Sequence, residues 1–237
     1  EDGDLDGTVA ICRDVTDIEE RDRQVRVMDR VLRHNVSNQM NVVLGYAETI
    51  RETTTDEAIA QYADQIVESG ESLVATTQKE REITKLLSDP PEPQTVSLST
   101  VVRDAVAEVR REHPDADIAV SVPETCSLGT NTDLGLAVCE LVRNAVVHSD
   151  RETPSVSVSL DRTDEAVTVT VADDGPGIPE MERSILADEM DVEPLHHGSG
   201  LGLWLVKLAV DRAAGSVDYA ERDSRGSVVT IRLPTDR

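Results

Sequence analysis

The chain has no phenylalanine, one tryptophan (Trp204) and three tyrosines in 237 residues. Packing centred on rings is therefore excluded, and a core must be built from Val, Leu, Ile and Ala, which suit close-packed layers of helix and sheet. Lysine is scarce as well, with only Lys79, Lys85 and Lys207. Acidic residues number 47 against 23 basic ones, a formal charge of −24, and no basic stripe is present. That excludes nucleic acid, whose phosphate backbone requires a basic footprint, and excludes an acidic membrane surface likewise. Cysteine is limited to Cys12, Cys126 and Cys139, an odd number without metal-ligand spacing. Neither a disulfide framework nor a zinc site is indicated, and a reducing cytoplasm fits. No apolar run approaches the roughly 20 residues needed to span a bilayer, and no signal peptide opens the chain. The first residue is Glu, not Met, which suggests a fragment of a longer protein, one that has room for membrane attachment elsewhere.

What is abundant is acid. It occurs in every segment, with Arg supplying nearly all the positive charge. This texture looks like a halophile's protein, of haloarchaeal type, because at molar salt the Debye length is about 3 Å and self-repulsion is screened. The hydrophobic share of 38% is enough for one large domain or two small ones.

Residues 1–15 hold a short strand, Thr8 to Arg13, with nothing local to pair with. Thr16 and Glu19 then form a capping box that marks a helix start. The helix runs to about Arg51, with an apolar stripe of Val25, Met28, Leu32, Val36, Met40, Val43, Ala47 and Ile50. His34 lies off that stripe, roughly 200° from Leu32 and Val36, and so points away from the stripe's core. A break at Glu52 to Asp56 precedes a second helix to Leu87, with Ala58, Tyr62, Ile66, Ser69, Leu73, Thr76, Ile83 and Leu87 as its expected inner face. One hairpin cannot bury both stripes, so residues 16–89 are expected to dimerise into a four-helix bundle. Pro90, Pro91 and Pro93 make residues 90–93 a stiff linker.

Beyond the linker the pattern changes. Helices are expected at 98–111, 132–147 and 201–214, a strand at 118–122, and hairpins at 156–160/166–172 and 217–220/228–233. The fold class is α+β, an antiparallel helical hairpin followed by an α/β sandwich in which helices cover one face of a sheet.

Three motifs here carry chemistry. Glu140, Asn144 and His148 are spaced by four on one helix, so they share a face, and one Asn carbonyl suits Mg²⁺ that otherwise takes phosphate and water oxygens. Asp173-Asp174-Gly175-Pro176-Gly177 follows a strand; a carboxylate there can accept the exocyclic amine of adenine while glycines let the base approach. Gly198-Ser199-Gly200-Leu201-Gly202 opens a helix whose backbone N–H groups can cradle phosphates.

In this order and spacing the motifs resemble the N box and two Gly boxes of the histidine kinase ATPase domain, a fold shared with gyrase, mismatch-repair ATPases and heat-shock ATPase chaperones. The resemblance covers residues 94–237, and the helices of residues 16–89 resemble the dimerisation and phosphotransfer module of the same kinases. Asp14 to Arg21 resembles the exit of a PAS sensor domain, which makes residues 1–15 the tail of such a domain. The resemblance implies that His34 is the phosphoacceptor, with Asn35 and Asn38 beside it in catalysis. It implies ATP binding by Glu140, Asn144, His148, Asp173, Gly175 and Gly177 on one side. On the other stand Gly198, Ser199, Gly200, Leu201, Gly202 and Ser227, with Mg²⁺ on Asn144 and a lid from about Pro179 to His197. It also implies a homodimer, a response-regulator receiver domain as phosphoryl acceptor, and an N-terminal sensor domain in the full-length protein. Three features depart from the common pattern: Glu140 stands where Asn is frequent, Asn35 where a carboxylate is usual, and the lid lacks the aromatic box common in these kinases. Competing readings are an ATP-hydrolysing clamp with Glu140 as general base, and a dimeric scaffold that binds ATP without transfer.

Overall fold

A computed structural model describes residues 16–88, 94–186, 200–222 and 225–235, with side chains of the first helix from Asn35 onward. The strand expected at 8–13, the sensor-domain tail and linker 90–93 lie outside the described residues. Contacts divide the chain into two compact units, residues 1–77 and 78–237.

The first unit is a helical hairpin. Helix α1 (Thr16–Thr53) and the first part of α2 (Glu57–Ser88) run antiparallel, as the Arg51–Asp64 pair at 3.6 Å and the contact of Gly70 with Leu44 require. The turn is set by Asp56, whose Oδ1 accepts from the N–H groups of Ala58 (2.9 Å) and Ile59 (3.4 Å) and so caps α2. The buried side meets the expected stripes at Ala47 but leaves most of their bulky members outside. Ala47, Ala63, Val67 and Gly70 are buried between the helices, while Val36, Val43, Ile50, Tyr62, Ile66 and Leu73 are exposed within the single chain. The inner face of α2 is thus displaced by about one residue from the Tyr62–Ile66–Leu73 stripe. The cause is steric: small side chains let two helices approach closely, and the bulky apolar ones are left on the outside.

The second unit begins with the last turns of α2, whose Ile83 and Leu86 belong to its core. Strand β1 (Gln94–Ser97) leads into α3 (Leu98–Glu112), and β2 (Asp117–Ser121) and β3 (Ser127–Thr130) lead to α4 (Leu134–Val147). The hairpin β4 (Ser155–Arg162) and β5 (Ala166–Asp173) is followed by α5 (Glu180–Leu186), α6 (Leu201–Arg212), β6 (Ser216–Glu221) and β7 (Ser227–Pro234). The main sheet has the order β2-β4-β5-β7-β6, with β2 parallel to β4 and every other pair antiparallel. Alternation decides its layers. Val156, Val158 and Leu160, Val167, Val169 and Val171, and Val229, Ile231 and Leu233 are buried, while Ser157, Thr170, Thr230 and Arg232 between them are not. One face of the sheet is therefore apolar and one polar, and α3, α4 and α6 belong to the same core as the apolar face. On α3 the buried Val102, Ala105, Val106 and Val109 recur at helical spacing. Trp204 lies half-buried on α6, packed against this core.

The expected helices and strands of this unit are present with ends shifted by up to two residues. Strands β1 and β3 and the short α5 were not expected. The first two pair with each other from Gln94↔Thr130 to Ser97↔Ser127 and bury Val96 and Leu128.

Candidate nucleotide site

The site is assembled at the α4–α6 contact and the end of β5. On α4, Glu140, Asn144 and His148 do share a face, and that face opens along its length: Glu140 is 2% exposed, Asn144 half-buried and His148 exposed at the C-cap. Gly202, in the first turn of α6, is pressed against it. A Cβ on Gly202 would stand 2.1 Å from Glu140 Oε1 and 3.1 Å from the Asn144 amide nitrogen, so a larger residue here would have to displace the Glu140 carboxylate. Gly202 therefore serves as a packing contact beneath the site. Leu201 is buried in the core, and Gly200 is the N-cap of α6 with φ of +90°. Gly198 and Ser199 lie outside the described residues.

Asp173 closes β5. Its Oδ1 accepts from the N–H of Gly175 (2.8 Å) and of Ser227 (3.2 Å), which fixes the carboxylate and leaves Oδ2 without a partner among the described residues. A half-buried acceptor held this way fits the donor amine of adenine. Ser227, 2% exposed, contributes its backbone to this hold. Next to it Gly226, with φ of +107°, brings the β6–β7 turn against Asp173, where a Cβ would stand 2.0 Å from the carbonyl oxygen. Gly175 lies close to Ser149, just past the end of α4, so the two motifs meet in space. Gly177, also left-handed, faces the Tyr219 hydroxyl, and Arg183 of α5 stacks 4.8 Å over the Tyr219 ring. The Asn144 side chain has no partner among the described residues, so its carbonyl is free to take part in a Mg²⁺ shell completed by phosphates and water.

Charge around Glu140 is organised by two cations that the motif reading missed. Arg143 approaches Oε2 at 3.5 Å and is itself gripped by Glu112 through Nε (3.0 Å) and Nη2 (3.2 Å). Lys79, on the last part of α2, pairs with Oε1. The hydrogen bond from Arg143 holds the Glu112 carboxyl below its usual range. Burial works against the Arg143 charge, but the Glu112 hydrogen bond and the surrounding negative groups outweigh it and keep the guanidinium protonated. Burial pushes the neighbouring Cys139 thiol up to about 11, which keeps it inert. Asn35 is exposed on α1, Asn38 is exposed and engaged, and His34 lies within α1 with its side chain outside the described residues.

Residues 129–237 match the family described as histidine kinase-, DNA gyrase B- and HSP90-like ATPase. Among curated proteins, the sensor-type histidine kinase PrrB of Mycobacterium tuberculosis is 29% identical over 142 residues, 59% of this chain and 31% of PrrB. The sensor-like histidine kinase SenX3 of the same species is 27% identical over 216 residues, 84% of this chain and 52% of SenX3. The chain thus spans about a third to a half of these relatives. Among solved structures, the mycobacterial sensor histidine kinase MprB aligns with a TM-score of 0.50 at 29% identity, covering 60% of this chain and 97% of that one. The second unit has the fold of a histidine kinase ATP-binding domain.

Proposed function

We propose that the chain is the transmitter part of a sensor histidine kinase: it transfers the γ-phosphoryl group of Mg-ATP to His34 and then to an aspartate of a response-regulator receiver domain. The observation that carries this reading is Asp173, fixed through one oxygen by Gly175 and Ser227, with no partner for the other oxygen or for the Asn144 side chain on α4 among the described residues. Adenine fits the open Asp173 oxygen. Asn144 would hold Mg²⁺ through its carbonyl, and the ion would supply positive charge to the phosphates. In the transfer a bare imidazole nitrogen of His34 forms the N–P bond as the bond from γ-phosphorus to the bridging oxygen breaks and ADP leaves. Little covalent work falls to the protein, and positioning carries the rate. The other ring nitrogen must keep its proton. Asn35 can orient it through its amide oxygen but cannot accept that proton near neutral pH.

The hydrolytic alternative is disfavoured by Glu140 itself, whose two oxygens each face a cation and which is buried beneath Gly202. The deciding experiment is incubation of the chain with γ-labelled ATP. Acid-labile, alkali-stable label on the protein, absent in His34→Gln, is the expected result. Free phosphate without protein label would establish a hydrolase, and binding alone a scaffold.

The bulky apolar residues exposed on the hairpin support a homodimer through residues 16–89, closed as a four-helix bundle. The PAS-like run at residues 14–21 supports an N-terminal sensor domain. No helix among the described residues is long and apolar enough to cross a membrane. The charge of −24 supports a halophilic origin. A melting series in KCl is expected to rise steeply from dilute to molar salt, and a flat series refutes that origin.

A further inference from the structure

Glu140 is the most deeply buried carboxylate in the site, and three separate elements converge on it. Its own helix offers Arg143 to Oε2, α6 presses Gly202 against Oε1, and the end of α2 brings Lys79 to that same Oε1. The Lys79 contact is an ion pair without aligned hydrogen-bond geometry, so Lys79 supplies compensating charge more than directional hold. A carboxylate 2% exposed cannot turn to water if that charge is withdrawn. It must either move or lose its charge. Either change acts directly on Asn144, one helical turn further along the same face and packed against the same Gly202.

Lys79 does not reach Glu140 as a lone flexible arm. One and two turns on, Ile83 and Leu86 are buried in the core, 3% and 2% exposed. The Leu86 carbonyl accepts from Arg212 at the end of α6, and the same guanidinium pairs with Asp133 at the head of α4 at 2.9 Å. The end of α2 is therefore tied to α4 twice: at its first turn through Arg212 and Asp133, and at its middle through Lys79 and Glu140. Loosening the end of α2 removes the charge partner of a buried group on the nucleotide helix.

We propose that Lys79 is a positioning residue for the nucleotide site, acting through Glu140 so that the shape of the Asn144 face depends on the end of α2 being seated. This rests on the nucleotide reading given above. The test is a double-variant cycle on the full chain with Lys79→Met, Lys79→Arg, Glu140→Gln and the Lys79→Met/Glu140→Gln pair. Two quantities are measured: the thermal midpoint without nucleotide, and the dissociation constant for Mg-ATP by equilibrium dialysis. Lys79→Met is expected to lower the midpoint and weaken Mg-ATP binding about tenfold, and Lys79→Arg to stay within about threefold of the parent. With Glu140 already neutral, adding Lys79→Met should change binding by no more than about twofold. Binding by Lys79→Met equal to the parent, or the same loss in both backgrounds, overturns the proposal. If Lys79→Met fails to fold, the comparison of Glu140→Gln with the double variant decides: equality supports it and a further loss overturns it. If the parent chain itself binds no Mg-ATP, the kinase reading falls. The nucleotide-free midpoints then decide separately whether Lys79 and Glu140 are coupled, and additive midpoints overturn that coupling.

Discussion

The helical hairpin and the nucleotide domain use apolar residues in opposite ways. The domain buries its large ones, with Leu98, Ile231 and Leu233 at or below 1% exposed, and closes its core with its own sheet and helices. The hairpin buries Ala47, Ala63, Val67 and Gly70 and leaves Tyr62, Ile66 and Leu73 between 44% and 66% exposed. Burial of a Leu or Ile side chain stabilises by about 1.5–3 kcal/mol, so the hairpin forgoes on its own the contribution the domain collects. The difference teaches that one region is finished as a single chain, while the other leaves its large apolar residues uncovered, as the proposed dimer requires.

Three substitutions test that contrast, in order of expected effect. Leu233→Ala should cost about 3 kcal/mol in the domain, because a fully enclosed side chain leaves a cavity; a urea unfolding curve with an unchanged midpoint would contradict a self-sufficient core. Ile66→Asp should leave the domain's Mg-ATP affinity intact while weakening self-association about a hundredfold, some 2.7 kcal/mol, read by sedimentation against concentration. Unchanged self-association would show that the exposed stripe is not the dimer surface. The smallest effect asks whether the domain leans on its charge network as it does on its core. Glu112→Gln removes a carboxylate whose folded pKa is depressed by Arg143. Its stabilisation is fully present above the ordinary value of 4.5 and disappears as pH falls through the depressed value. The pair is partly exposed, so the loss near pH 7 should be only about 0.5 kcal/mol. Melts of parent and variant should converge in acid, and a constant gap would assign the effect to packing.

Much of this was legible beforehand, for identifiable reasons. Four-residue spacing put Glu140, Asn144 and His148 on one face because a helix enforces it. Asp173-Asp174-Gly175 marked the end of β5. What failed did so where partners are distant or stripes adjacent. Strands β1 and β3 are four residues each and find each other only across α3 and β2, so neither has a local signature. The inner face of α2 was misplaced because Ala63 and Val67 sit directly beside Tyr62 and Ile66, and periodicity cannot rank two neighbouring apolar stripes. Lys79 carried no motif at all; its meaning comes from Glu140, far along the chain. Gly202 was visible as a glycine, but the reason for it is a carboxylate on another helix.

The scarcity of rings has an optical consequence. The single indole, Trp204, belongs to α6 two residues beyond Gly202, while two of the three phenols, Tyr46 and Tyr62, stand exposed on the hairpin. Emission excited at the red edge, where phenols do not absorb, comes from one helix of the nucleotide domain alone. The share of resonance transfer to that indole that comes from Tyr46 and Tyr62, separated from that of Tyr219 on β6 by substituting the two hairpin phenols, is then a label-free ruler from hairpin to domain.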